Sequence, residues 1–94
     1  MSKQKNIQVI YKKLGKHKAH GFAYPSLRKI EIDERLKGKK LLEILTHEVS
    51  HLILPNDTEE KIQELSIAIT NVLWKEGYRR TDNDNTMKLQ DGTK

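Results

Sequence analysis

The 94-residue chain predicts an α+β fold, a small antiparallel β-ribbon or sheet packed on two antiparallel α-helices. Three observations predict it. Apolar and polar residues alternate in two stretches of the first third of the chain, the pattern of strands with one buried face. Further on, two longer stretches repeat their apolar residues every three to four positions, the period of an amphipathic helix. Between these stretches Pro55 is followed by Asn56-Asp57-Thr58, a stop and a restart close enough together to fold the second helix back on the first.

Taken in order, Met1 to Lys5 is polar and carries no structural signal. From Asn6 to Lys13, Ile7, Val9 and Tyr11 alternate with Asn6, Gln8 and Lys12, which predicts the first strand. Leu14 to His20 is a basic turn around Gly15, and Gly21 to Pro25 is an extended piece, since Pro25 disfavours a helical Tyr24. Ile30 and Ile32 alternate with Lys29, Glu31 and Asp33, which predicts the second strand within Ser26 to Asp33. An isolated ribbon is marginally stable, so it must pack on the helices. The first helix is expected over Lys39 to Leu54. The second is expected to run to about Glu76, with Asp57 as N-cap, Glu60 completing a capping box and Gly77 as the stop. Its stripe of Ile62, Leu65, Ile69, Val72 and Leu73 should pack on the leucine stripe of the first, leaving Ile67 and Trp74 for the ribbon. Residues 1–80 are expected to form one domain and 81–94 a flexible tail, in which Met87 and Leu89 are scattered apolar residues.

Composition narrows the chemistry. No cysteine is present, which excludes disulfides, thiolate metal sites and a cysteine nucleophile, and leaves nitrogen and oxygen ligands. Hydrophobic residues make up 35% and charged residues 33%, so much of the chain must face water. Met1 to Ile10 has no apolar core of a signal peptide, and the longest apolar run is Leu52-Ile53-Leu54, so a cytoplasmic protein without a membrane span is expected. The net charge of +5 is uneven: residues 1–40 carry +9, 41–80 carry −3 and 81–94 carry −1. Lys12, Lys13, Lys16 and Lys18 are candidates for a nucleic-acid or acidic-partner surface. The basic turn nevertheless lacks interleaved aromatics for stacking and reads first as a solvated loop.

The most informative stretch is His47-Glu48-Val49-Ser50-His51. Histidines four apart lie on one helical face and can share a metal ion, with the intervening glutamate placed to handle a water's proton. Shuffling this composition would produce the pattern only about 0.01 times per chain. With His47 at zero on a helical wheel, Leu41, Leu42, Leu45, Val49, Leu52 and Ile53 fall between about 120° and 240°. The histidines therefore sit beside Ile44, opposite the main apolar stripe, where they are expected to face a cleft. A catalytic zinc needs a third protein ligand. His17 and His20 precede the helix on the basic turn and read as exposed loop histidines. Glu59 lies at the edge of the second helix's apolar stripe with Ser66 and Leu73, and is the expected third ligand; Glu60 and Glu64, which point away from the stripe, are the alternatives. The chemistry that follows is zinc held by His47, His51 and Glu59, with Glu48 taking the proton of a water that attacks a peptide carbonyl. Tyr24 is a candidate oxyanion donor, weighed against a partly buried ribbon aromatic. The strand Lys29 to Asp33 offers an edge for an extended peptide.

On these residues the chain resembles the zincin metallopeptidases, and specifically small gluzincin-like proteins with a minimal ribbon and two-helix core. It is also similar to short metallopeptidase-like proteins of phages and bacteria, in which an Ile-rich strand, a His-Glu-x-x-His helix and a second helix ending in a stretch like Trp74-Lys75-Glu76-Gly77-Tyr78 follow closely. The resemblance covers about residues 20 to 78. It implies a minimal zincin core with zinc on the two histidines, Glu48 as general base and a peptide or protein substrate. The chain departs from thermolysin-like enzymes in the short interval between His51 and Glu59. Two functions of other classes compete with a peptidase: a non-catalytic, metal-stabilised binding or phage-associated module, and a basic nucleic-acid-associated accessory protein.

Overall fold

The computed structural model describes residues 6–15 and 19–81. Strands β1 (Gln8–Lys12), β2 (Gly21–Tyr24) and β3 (Lys29–Asp33) form one sheet in the order β1-β3-β2, and helices α1 (Gly38–Ile53) and α2 (Glu59–Lys75) complete an α+β fold. Helix α1 lies on one face of the sheet, and α2 packs on α1.

The sheet corrects the expected antiparallel ribbon. The two predicted strands, β1 and β3, pair in parallel, with Val9 opposite Ile30 and Tyr11 opposite Ile32. The antiparallel partner of β3 is β2, the stretch expected to be merely extended, with Gly21 opposite Ile32 and Tyr24 opposite Lys29. Parallel neighbours need a connection of a dozen residues or more, and the chain between Lys12 and Lys29 is long enough to provide it. That connection carries β2 to the far edge of β3, and a single turn of 3₁₀ helix, Pro25–Leu27, returns the chain to the centre.

Alternation decides what β3 buries. Ile30 and Ile32 are 0% exposed and face α1, where Leu41, Ile44 and Leu52 close over them, with Ala23 and Leu45 packed around. The other face carries Glu31, which meets Lys12 at 3.7 Å and Lys29 at 3.9 Å. At the strand's end Asp33 takes three hydrogen bonds from Arg35, at 3.0, 3.0 and 2.8 Å, that hold its carboxyl down at about 2.

Pro55 cannot continue α1, and the helix closes with the Leu54 N–H donating to the Ser50 carbonyl at 2.8 Å. The restart differs from the predicted capping box by one residue. Thr58, in extended conformation, is the N-cap, and its hydroxyl accepts from the Lys61 N–H at 3.1 Å. Asp57 lies outside the helix, and with Thr58 as cap the third helical position belongs to Lys61 instead of Glu60. The far end is the expected stop. Gly77, at φ +94°, lets the Gly77 N–H reach the Trp74 carbonyl and the Tyr78 N–H reach the Leu73 carbonyl, a Schellman closure.

The helices are antiparallel: His51 meets Glu59 near the turn, His47 meets Ser66 and Thr46 meets Thr70 further along, and Gly38 at the start of α1 lies by Trp74 near the end of α2. Their interface corrects the predicted apolar stripe. On α2 the buried residues are Ile62, Ser66 and Thr70, whereas Ile69 and Val72 are substantially exposed. Trp74 shares a depression with Tyr11 and Leu41, and Ile67 is exposed. Among the described residues no helix is long and apolar enough to cross a membrane. The predicted tail, with Met87 and Leu89, lies outside the described residues apart from Thr81, and so do Lys16, His17 and Lys18.

Candidate metal centre

The site forms where three elements meet: the last turns of α1, the first turn of α2 and strand β2. The five-residue connection from Leu54 to Thr58 brings Glu59 back beside His51. His51 Nε2 lies 2.9 Å from Glu59 Oε1, His47 Nε2 lies 3.0 Å from Glu59 Oε2, and the two Nε2 atoms are 3.2 Å apart. Among the described residues these three are the one group of histidine and carboxylate side chains close enough to share an ion. Glu60 and Glu64 are exposed and stand outside the group.

The donor set fits a small divalent cation. Ligand atoms about 2.0–2.1 Å from a tetrahedral zinc are separated by roughly 3.3 Å, close to the three separations here. Two imidazoles and a carboxylate also match the nitrogen and oxygen chemistry of zinc, which suits the absence of cysteine.

The histidines differ in setting. His47, expected at an open cleft, is only 7% exposed, because α2 covers its flank while its Nε2 reaches the cleft wall. On the other side of its ring, Nδ1 stands 3.4 Å from the hydroxyl of Ser66. His51 is half-buried, and Glu59 is exposed, with 68% of its side chain open to solvent. The centre is thus supported from beneath and open above, into a cleft of about 400 Å³ bordered by Phe22, Ala23, Pro25 and Pro55.

Glu48 lies in the same cleft and is 8% exposed. Burial pushes its carboxyl above the ordinary glutamate range; His47 and His51 pull it down when charged, and Glu59 raises it further. A carboxylate raised in this way beside a candidate cation site is placed to accept and release a proton.

Two residues of the site carried no functional signal in the sequence. Gly21 packs so closely that a Cβ there would stand 2.9 Å from Glu48 Cγ and 3.0 Å from the Glu31 carbonyl oxygen. Ser66 is the other: it shares a buried face of α2 with Ile62 and Thr70 at helical spacing, which marks packing and not function. Tyr24, the expected oxyanion donor, is placed elsewhere. Its hydroxyl donates to Glu31 Oε1 at 3.2 Å on the outer face of the sheet, Lys29 sits 4.9 Å over its ring, and burial with the Glu31 charge raises its hydroxyl's pKa. His20 is exposed, and its carbonyl accepts from the Asp33 N–H. Comparison with known protein families, curated proteins and solved structures finds no match to this chain. The functional reading therefore grows from the site's own geometry.

Proposed function

We propose that this protein is a zinc-dependent peptidase of minimal zincin-like architecture, with His47, His51 and Glu59 as metal ligands and Glu48 as general base. The observation that carries this reading is the convergence of three ligand atoms beside a buried, upward-shifted carboxylate at the floor of an open cleft. When bound, a divalent ion such as zinc supplies a Lewis acid that polarises a scissile carbonyl and acidifies a water. Glu48 takes the attacking water's proton and passes it to the leaving amine. Strand β2, an edge of the sheet bordering the cleft, presents main-chain groups on which an extended peptide can pair. The edge expected on β3 is not available, because β3 is the central strand.

A second reading has its own observation. The cluster ties the end of α1 to the start of α2 where Ile53 and Leu54 remain exposed and apolar packing is thin. A metal there could act as a clasp without catalysis.

One set of measurements separates the readings: zinc content, melting temperature and cleavage of unstructured peptides for wild type, His47→Ala and Glu48→Gln. Under the peptidase reading wild type holds one zinc and cleaves, and His47→Ala loses the metal. Glu48→Gln keeps the metal but loses about 10²–10⁴-fold in rate. Zinc binding that raises the melting temperature, with no cleavage by wild type, selects the clasp. Folded wild type that takes up no zinc overturns both.

A further inference from the structure

Ser66 is 0% exposed on α2, nineteen residues beyond His47, and has two polar neighbours. Its Oγ lies 3.1 Å from the Gln63 carbonyl oxygen one turn earlier and 3.4 Å from His47 Nδ1. A hydroxyl has one proton to give and lone pairs to accept with. The Gln63 carbonyl can only accept, so the hydroxyl proton goes there, and the serine oxygen then meets His47 Nδ1 as an acceptor. The Glu59 carboxylate, 3.0 Å from Nε2, also only accepts and draws the ring hydrogen to that side when no metal is bound; with a metal ion on Nε2, the hydrogen of the neutral ring stands on Nδ1 and is donated to Ser66. The lone pair is left on Nε2, the atom that faces His51 and Glu59 at 3.2 and 3.0 Å.

From this network we infer that Ser66 is a positioning residue, holding His47 as the Nδ1–H tautomer and aiming its Nε2 at the metal. The inference rests on the metal-binding reading of the site. It also gives a reason for the buried hydroxyl: alanine would fill the same space, and a serine is needed only if its oxygen is used. The role differs from that of the neighbouring pair, Thr46 and Thr70, whose hydroxyls are 3.2 Å apart and bind each other across the helices. Thr46, whose hydroxyl reaches Ser66 only at its backbone carbonyl, 3.5 Å away, is a control from the same seam.

The tautomer is measurable without metal and without a substrate, from the ¹⁵N shifts and long-range ¹H–¹⁵N couplings of the histidine rings where imidazole is neutral, in metal-free Glu59→Ala protein, which removes the competing acceptor at Nε2. In that background, with Ser66 in place, His47 is expected to be protonated on Nδ1, and Ser66→Ala is expected to populate the Nε2–H form. With Glu59 present, Ser66→Ala is expected to weaken zinc binding by about 10- to 100-fold, the usual loss on removing a hydrogen-bond partner of a metal-bound histidine. Ser66→Thr, which keeps the hydroxyl, restores both readouts, and Thr46→Ala leaves the tautomer unchanged. A His47 protonated on Nε2 in the Glu59→Ala protein with Ser66 in place overturns the inference, whether or not any Ser66 variant folds. Unchanged tautomer and zinc affinity in a folded Ser66→Ala overturn it too, while wild-type zinc binding leaves the site reading intact. Wild type that binds no zinc removes the site reading itself, and the role of Ser66 with it.

Discussion

The two sides of α1 face opposite chemistries. Toward the sheet, Leu41, Ile44 and Leu52 meet Ile30 and Ile32 in a dry apolar layer. Toward α2, Thr46 and His47 meet Ser66 and Thr70, and Glu43 meets Gln63, in a seam of hydroxyls, imidazole and amide. Apolar contacts are non-directional and scale with area, so the sheet side is a source of stability with loose geometric demands. Hydrogen bonds are directional and small in net stability, so the seam contributes orientation. His47 and His51, the two proposed metal ligands on α1, sit where the helix turns from one chemistry to the other, and His47 meets the seam directly through Ser66.

The largest expected effect comes from breaking the apolar side. Ile32→Ala removes a completely buried side chain from the centre of the sheet, at a cost of about 2–5 kcal/mol. Urea unfolding is expected to show a lower midpoint with little change in slope. Zinc affinity, measured under conditions where the variant is fully folded, should match wild type. An Ile32→Ala that stays as stable as wild type but binds zinc poorly would reverse the assignment of the two sides.

The next effect is local to the chemistry. Gly21→Ala introduces a methyl group 2.9 Å from Glu48 Cγ, with backbone at 3.0 Å on its other flank, so the glutamate side chain must yield. A shift of about 1 Å in a reacting group can cost roughly 10²-fold in rate. The variant is expected to retain zinc, since none of the three ligands is touched, and to lose cleavage by about that factor. Equal cleavage by Gly21→Ala and wild type would mean that Glu48 need not be held where it stands.

The same division explains what was legible in the sequence. Both helices announce themselves, because periodic leucines and isoleucines, Pro55 and Gly77 act locally, and His47 and His51 follow from spacing alone. Glu59 came from the helical wheel, which separates it from Glu60 and Glu64. Strand pairing is a different matter. Gly21–Tyr24 is only four residues long and shows no alternation, and the parallel pairing of β1 with β3 depends on where the intervening chain travels. The seam was hidden for another reason. Hydrophobic periodicity ranks Ile69 and Val72 above Ser66 and Thr70, yet the hydroxyl residues are buried and the apolar pair is exposed. Small residues allow close helix approach and their hydroxyls find partners across the interface, which a hydropathy pattern does not register.

The smallest expected effect lies at a third kind of contact, a solvent-facing ion pair at the end of β3. Asp33 itself is buried, but the Arg35 guanidinium that holds its carboxyl has 60% of its side chain exposed, so water and salt screen the pair. Because the folded state lowers this carboxyl from the ordinary value near 3.8 to about 2, it binds the proton less readily folded than unfolded. Its contribution is therefore fully present above pH ~4 and lost as the pH falls through that window toward 2. Asp33→Asn should lower the melting temperature slightly at neutral pH, and the gap to wild type should narrow as the pH drops through the same window. Added salt should narrow it as well, whereas the penalty of Ile32→Ala should persist in salt. A gap that is large and indifferent to salt would place Asp33 with the buried, directional contacts of the seam, through its backbone hydrogen bond from Leu14 and not through Arg35.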